Sequence, residues 1–401
     1  MEDALRRREF LRRALAAAAL PQALAAERAR AEPVPPGREG TTSDVWVEVK
    51  LGNVAWNLAR IRRAAGGRPV MAVLKANGYG HGVAGLARHL APELHGILVN
   101  HLGEVAELAQ ANLGVPILHF GALSQPDEAD FLVRNDVAQA LYSAETLGLL
   151  RAAGARLGKS PAAHLVVDTG LGRLGVPHRE AMRFIETVKG LDVRGTMTTF
   201  TYDADFAREQ LRAFNAVLAQ MRSRRIRAGT VHAAASDAIL NLPESHFDMV
   251  RPGIMLYGHY PTEAARQKKE IDLRAAATWK ARVAYVKTLQ PGDTVGYTRA
   301  YRAEREETVA TLPVGYADGH RPALAGKADV WLNGRRCPIV APITANHTIV
   351  RVPPDLAVKP GDEAELMGPN IPAHELANHA GISVYQMVIG LSATRPRVYV
   401  A

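Results

Sequence analysis

From Val45 onward the chain alternates short apolar runs with stretches of helical period. Val45-Trp46-Val47-Glu48-Val49 alternates as a half-buried strand does, and residues 51–65 carry helical spacing up to the breaker Gly66-Gly67. Residues 70–74 read as a second strand and 83–90 as a helix. Further strand–helix pairs are predicted around residues 96–99, 116–120, 138–141, 164–167, 195–199, 231–234 and 249–254. Repeated βα units of this size build a parallel sheet, and about eight of them in ~210 residues fit a closed (β/α)8 barrel of the TIM type. After Gly258 the texture changes. Short strands at 279–288, 307–312, 329–332 and 363–366, with turns such as Pro291-Gly292-Asp293 and Pro360-Gly361-Asp362, predict a mainly β C-terminal domain. The expected division is a leader and linker at 1–40, the barrel at 41–265 and the β domain at 266–401.

The leader has its own pattern. Arg6-Arg7-Arg8-Glu9-Phe10-Leu11-Arg12-Arg13 precedes an alanine and leucine run from Ala14 to Leu20, too short to span a membrane. The order Arg7-Arg8-x-Phe10-Leu11 resembles the twin-arginine export signal. Ala23-Leu24-Ala25 and Ala29-Arg30-Ala31 are both small-x-small cleavage candidates, and the expected location is the periplasm or the exterior. No later apolar stretch is long enough to span a membrane, so no stable span is expected after cleavage.

Composition adds little beyond exclusions. Of 401 residues, 49 are Lys or Arg and 40 are Asp or Glu, giving a net charge of +9. These positives are spread along the chain and aromatics are only 6%, so nucleic acid is not an expected partner. Cysteine occurs once, at Cys337, which excludes an intrachain disulfide framework. No metal site is expected.

The chemistry concentrates in Met71-Ala72-Val73-Leu74-Lys75-Ala76-Asn77-Gly78-Tyr79-Gly80-His81-Gly82. Lys75 ends a predicted barrel strand, where barrel enzymes carry their catalytic groups. A lysine closing an apolar strand is costly to desolvate unless neutral or bonded, and both conditions suit an amine that attacks a carbonyl.

This stretch resembles the cofactor-lysine motif of alanine racemases, the fold-type III pyridoxal-phosphate enzymes. Matches follow in order through nearly the whole chain after the leader: Asp168-Thr169-Gly170-Leu171-Gly172-Arg173-Leu174-Gly175, Arg251-Pro252-Gly253-Ile254-Met255-Leu256-Tyr257-Gly258, Val295-Gly296-Tyr297 and Leu312-Pro313-Val314-Gly315-Tyr316-Ala317-Asp318-Gly319. The resemblance implies a homodimeric racemase of alanine dependent on pyridoxal 5'-phosphate. Lys75 would carry the cofactor and act as one base. Tyr297, reaching in from the partner subunit, would be the other. Arg251 would face the pyridine nitrogen, and Arg173 would hold the substrate carboxylate and the ring oxygen. Tyr79, Ser236, Gly253, Ile254 and Tyr385 would hold the phosphate.

Four positions depart from the family pattern. Thr199 stands where the family has a histidine beside the catalytic tyrosine, and Val166 where many members carry a modified lysine that braces the arginine. Ala235 replaces an asparagine before the phosphate serine. Thr344-Ala345-Asn346 replaces the family's Cys/Ser-Met-Asp segment at the substrate entry, and the smaller Ala345 leaves room for larger side chains. His81, His232 and Tyr202 are candidates to offset the missing histidine. A broad-specificity amino-acid racemase, and a racemase-like cofactor-binding protein with weak or altered activity, are the alternative readings.

Overall fold

A computed structural model describes residues 43–401. The leader and its export and cleavage motifs lie outside the described residues.

Eight parallel strands form the barrel in the order Met71–Val73, Gly96–Val99, Ile117–His119, Ala138–Leu141, Ala162–Asp168, Asp192–Met197, Thr230–Ala235 and Met249–Arg251. Val70 bridges Val250 in parallel, and Val73 N–H donates to Pro252 O at 3.0 Å, so the sheet closes on itself. Most of these strands are short runs buried on both faces, as expected where helices cover the outside of a parallel sheet. The strand limits 96–99 and 138–141 agree with those read from the sequence.

Val45–Lys50 is the exception among the predicted βα units. It is a strand, but it lies in the C-terminal sheet, antiparallel to Ala277–Arg282 and parallel to Arg397–Val400. Alternation shows that a strand is half-buried without showing which sheet it joins. The same sheet continues through Glu363–Met367, Asp329–Leu332 and Arg335–Pro338. A separate three-stranded sheet pairs Tyr285–Leu289, Glu307–Leu312 and Thr348–Val352. The helices Ala373–Ala380 and Val384–Ile389 complete the C-terminal part.

The helix Leu51–Ala64 leads from the C-terminal sheet to the barrel. It buries Val54, Leu58 and Ile61 at helical spacing. Asn57, also buried, donates to Leu256 O at 3.0 Å and Arg274 O at 2.8 Å, so its amide is paired rather than stranded.

Candidate active site

The site lies at the C-terminal ends of the barrel strands, around a cavity of about 670 Å³. Lys75 enters it one residue past Leu74 and is half-buried. Burial lowers its pKa, the Arg173 guanidinium adds to the effect, and Glu104 opposes it. The shift is toward the neutral amine, the form in which lysine is a nucleophile and a base.

The backbone after Lys75 turns left-handed. Ala76, Asn77, Gly78 and Tyr79 have φ of 54°, 54°, 58° and 50°. Three of them carry a Cβ, and each such residue costs roughly 1–2 kcal/mol in this region. The turn persists because its polar groups are held from several sides. Asn77 N–H donates to Glu104 Oε1 at 2.8 Å, and Asn77 Oδ1 accepts from Val83 N–H at 3.1 Å. Arg397 donates from Nε and Nη2 to Gly80 O at 2.9 and 2.7 Å, and Tyr399 Oη donates to His81 O at 3.3 Å. The outcome is a buried Tyr79 ring stacked on Tyr257, with centroids 5.1 Å apart.

Arg251 ends its strand fully inside the protein, 3% exposed. Its partners are neutral: Nη1 donates to His232 Nδ1 at 2.9 Å and His232 O at 2.6 Å, and Nη2 to Thr198 O at 2.7 Å, Ala233 O at 3.1 Å and Thr199 Oγ1 at 3.2 Å. Because arginine only donates, His232 Nδ1 accepts, and the proton on His232 Nε2 points to His164 Nδ1 at 2.8 Å. Both imidazoles are therefore neutral. Burial and the Arg251 charge pull His164 down to about 4 and His232 well below the ordinary value. Burial lowers Arg251 as well, to about 9, which leaves it charged at neutral pH.

Arg173 contrasts with it. The loop that presents Arg173 is shaped by Asp168 Oδ1, which accepts from Gly170 N–H at 2.9 Å and Gly172 N–H at 3.2 Å. The guanidinium itself is exposed and makes no hydrogen bond or ion pair with the described residues. Val166 and Thr199, two of the departures, line a narrow cleft beside it. Neither side chain is long enough to brace the arginine.

On the opposite side, Gly253 N–H donates to Ser236 Oγ at 3.0 Å. A Cβ on Gly253 would stand 3.0 Å from Tyr79 Oη, so the missing side chain keeps this corner open. The Tyr385 and Tyr202 hydroxyls are hydrogen-bonded, with their Oη atoms 3.1 Å apart. Burial pushes Tyr79 up to about 12 and Tyr385 upward too, so both phenols stay protonated donors. Neutral hydroxyls around a corner that a Cβ would fill suit a phosphate monoester. A lowered lysine and a buried arginine suit the remainder of a pyridoxal phosphate.

The cavity thus gathers Lys75, Tyr79, Arg173, Ser236, Arg251, Gly253, Ile254 and Tyr385. It does not gather Tyr297 or Ala345. Tyr297 stands 97% exposed between the strands Thr294–Val295 and Tyr301–Arg302. Ala345 lies in a turn whose carbonyl accepts from Ala317 N–H at 3.0 Å. Of the candidates to offset the missing histidine, His232 sits beneath Arg251, Tyr202 lies on the rim, and His81 is buried against Tyr257 at 4.6 Å, outside the cavity lining. Glu104, His164 and Arg397 have no assignment from sequence; their parts depend on neighbours distant in the chain.

A closed parallel barrel with such a lysine, arginine and phosphate corner at its C-terminal end defines a pyridoxal-phosphate enzyme of the barrel type. Comparison with known proteins narrows the class. The profile described as alanine racemase, N-terminal domain, matches residues 49–261, and that described as alanine racemase, C-terminal domain, matches 276–399. The alanine racemase of Desulfovibrio desulfuricans is 39% identical over 368 residues, which is 89% of this chain and 98% of the relative. A solved alanine racemase of Clostridium difficile 630 superposes with a TM-score of 0.84 at 27% identity, covering 90% of this chain and 96% of its own. The alanine racemase of Bartonella henselae, solved with covalently bound pyridoxal phosphate, gives a TM-score of 0.79 at 26% identity over 89% of this chain and 100% of its own. The chain belongs to the alanine racemase family, and it is a pyridoxal-phosphate-dependent amino-acid racemase of that type.

Proposed function

We propose that this chain interconverts L- and D-alanine with two bases on opposite faces of the substrate, Lys75 of one protomer and Tyr297 of a second copy. The observation that carries the reading is the pairing of a half-buried Lys75, lowered by burial, with an Arg173 that has no partner among the described residues. An amine poised to exchange protons beside an arginine waiting for a carboxylate is what an α-amino acid requires.

When bound, pyridoxal 5'-phosphate supplies the electron sink that makes the substrate α-hydrogen acidic. Lys75 would hold it covalently, with Tyr79, Ser236, Tyr385 and the backbone at Gly253 and Ile254 at the phosphate. Arg251 has its Nε–H left to offer toward the ring nitrogen, and its charge discourages protonation there. Arg173 fixes the carboxylate, which sets the α-carbon between the two faces. Lys75 Nζ takes or returns the proton on one face and Tyr297 Oη does so on the other. The exposure of Tyr297 and its position outside the cavity of its own chain support its delivery to a partner's site in a homodimer. In this reading residues 41–265 supply most of the cofactor's contacts, and residues 266–401 supply Tyr385 at the phosphate, Tyr297 and the substrate-entry turn at Ala345.

A second reading extends the substrate range. The small side chain of Ala345 at the entry favours a broader set of amino acids, while Tyr385 narrows the pocket toward small ones. The leader motif around Arg7-Arg8 supports export of the folded enzyme to the periplasm. An R7K/R8K variant retained in the cytoplasm, against exported wild type, tests that part.

The test of the reaction is proton NMR of L-alanine with the purified protein in D2O, with the enantiomer ratio measured on the same sample. Loss of the α-proton with D-alanine appearing is expected. Exchange with the L form retained would leave only one working face, and no exchange across a panel of amino acids would leave a cofactor-binding protein. Tyr297→Phe should block proton removal from one enantiomer by about 10²–10⁴-fold.

A further inference from the structure

The phosphate side of the pocket contains one phenol more than the assigned set. Tyr202 lies between the strand Asp192–Met197 and the helix Ala204–Ser223, next to Asp203, which caps that helix by accepting from Phe206 N–H at 2.8 Å. Tyr202 is 60% exposed, yet its Oη is 3.1 Å from that of Tyr385 on the helix Val384–Ile389. The Tyr385 ring lies 6.1 Å from the Tyr79 ring. Phenols from three separate elements thus group beside Ser236 and Gly253.

The sense of the Tyr202–Tyr385 bond matters. A phenol has one proton to give. Either phenol can give its proton across 3.1 Å; with an anion on the far side of Tyr385, Tyr385 gives its proton to the anion and Tyr202 donates to Tyr385. Accepting one bond also polarises a hydroxyl and strengthens the bond that it donates. Asp237 lines the same side, but its carboxylate accepts from Asn241 Nδ2 at 3.0 Å, and burial raises its pKa. The acceptor that fits the remaining direction is an anionic oxygen on the ligand.

We propose that Tyr202 is a positioning residue for the cofactor phosphate, holding Tyr385 by its hydroxyl so that the Tyr385 proton is directed at the phosphate oxygens. The proposal rests on the assignment of Tyr385 to the phosphate. It also makes a clasp between a barrel loop and a C-terminal helix, one that forms at the mouth of the cavity.

The experiment titrates the full chain with pyridoxal 5'-phosphate and, separately, with pyridoxal, which lacks the phosphate, following the absorbance of the bound ligand. Y202F should weaken the phosphorylated ligand roughly 3–10-fold, the span of one hydrogen bond, and leave pyridoxal unchanged. Y385F should lose at least as much, and the Y202F/Y385F double variant should lose no more than Y385F. The phosphorus-31 resonance of the bound phosphate should also shift in Y202F. Three results would overturn the proposal: unchanged affinity in Y202F while Y385F loses it, losses that multiply in the double variant, or equal weakening of both ligands. If Y385F itself keeps the full preference for the phosphorylated ligand, the underlying assignment of Tyr385 fails, and the two failures are thereby distinguished.

Discussion

The floor of the pocket and its rim are held in different ways. On the floor, Arg251 spends its hydrogen bonds on His232, three carbonyls and Thr199, all within one chain and all out of water. On the rim, Arg173 is exposed and unpaired among the described residues, and Tyr297, outside this cavity, is 97% exposed on its own chain. The same side-chain type therefore does two jobs. A guanidinium whose Nη donors are taken by neutral acceptors is a fixed charge that sets the electrostatics of the site. One without partners is a receptor for an anion. In the proposed reading, the difference separates a cofactor-facing half built within one chain from a substrate-facing half that takes Tyr297 from a second copy.

The largest expected effect tests the centre between these halves. Lys75→Ala should abolish racemisation, by more than about 10⁴-fold, and should end covalent retention of the cofactor after borohydride treatment, read by mass spectrometry. Retention in that variant would remove Lys75 from its assigned role. The two arginines come next. Arg251→Met leaves buried carbonyls and an imidazole without a donor, and should destabilise the cofactor-free protein by about 3–5 kcal/mol in denaturant unfolding. Arg173→Ala should stay within about 0.5 kcal/mol of wild type in stability while raising KM. Equal stability losses would erase the distinction between floor and rim.

Acid should weaken the floor together with the other buried imidazoles, His81, His259 and His320. His164 is held near 4 and His232 well below its ordinary value, so the unfolded chain binds protons that the native chain refuses. Stability is then full above about pH 6.5 and falls as pH drops toward 4, by up to about 1.4 kcal/mol per pH unit for each histidine. Replacing His164 by Asn should flatten that slope in denaturant midpoints measured across pH. The smallest effect is Thr199→Ala, which removes one acceptor from Arg251 and should lower stability by about 0.5–1.5 kcal/mol.

The barrel was legible because its strands are short buried runs bounded by helix patterns, and because Lys75, Arg173 and Arg251 fall within local motifs. What escaped is non-local. Val45–Lys50 pairs with strands more than two hundred residues onward, and alternation carries no record of its partner. Arg397–Val400 is only four residues long and follows Pro396, too short for its pattern to name a partner strand. His164 and His232 meet because their strands cross the interior together with Asp192–Met197 between them, which residue spacing does not reveal. The left-handed turn has a single glycine among four residues, Ala76 to Tyr79; Glu104 and Arg397, not composition, keep it in place.

The bond from Arg397 to Gly80 has a consequence for biosynthesis. The turn that follows Lys75 receives this clamp from a strand that the ribosome delivers more than three hundred residues later. Until Arg397–Val400 has been made, Val45–Lys50 lacks one neighbour and the strained turn lacks its anchor. The turn is therefore fully anchored only once that strand is in place, and a chain cut short of it carries the lysine without one of the clamps that shape its turn.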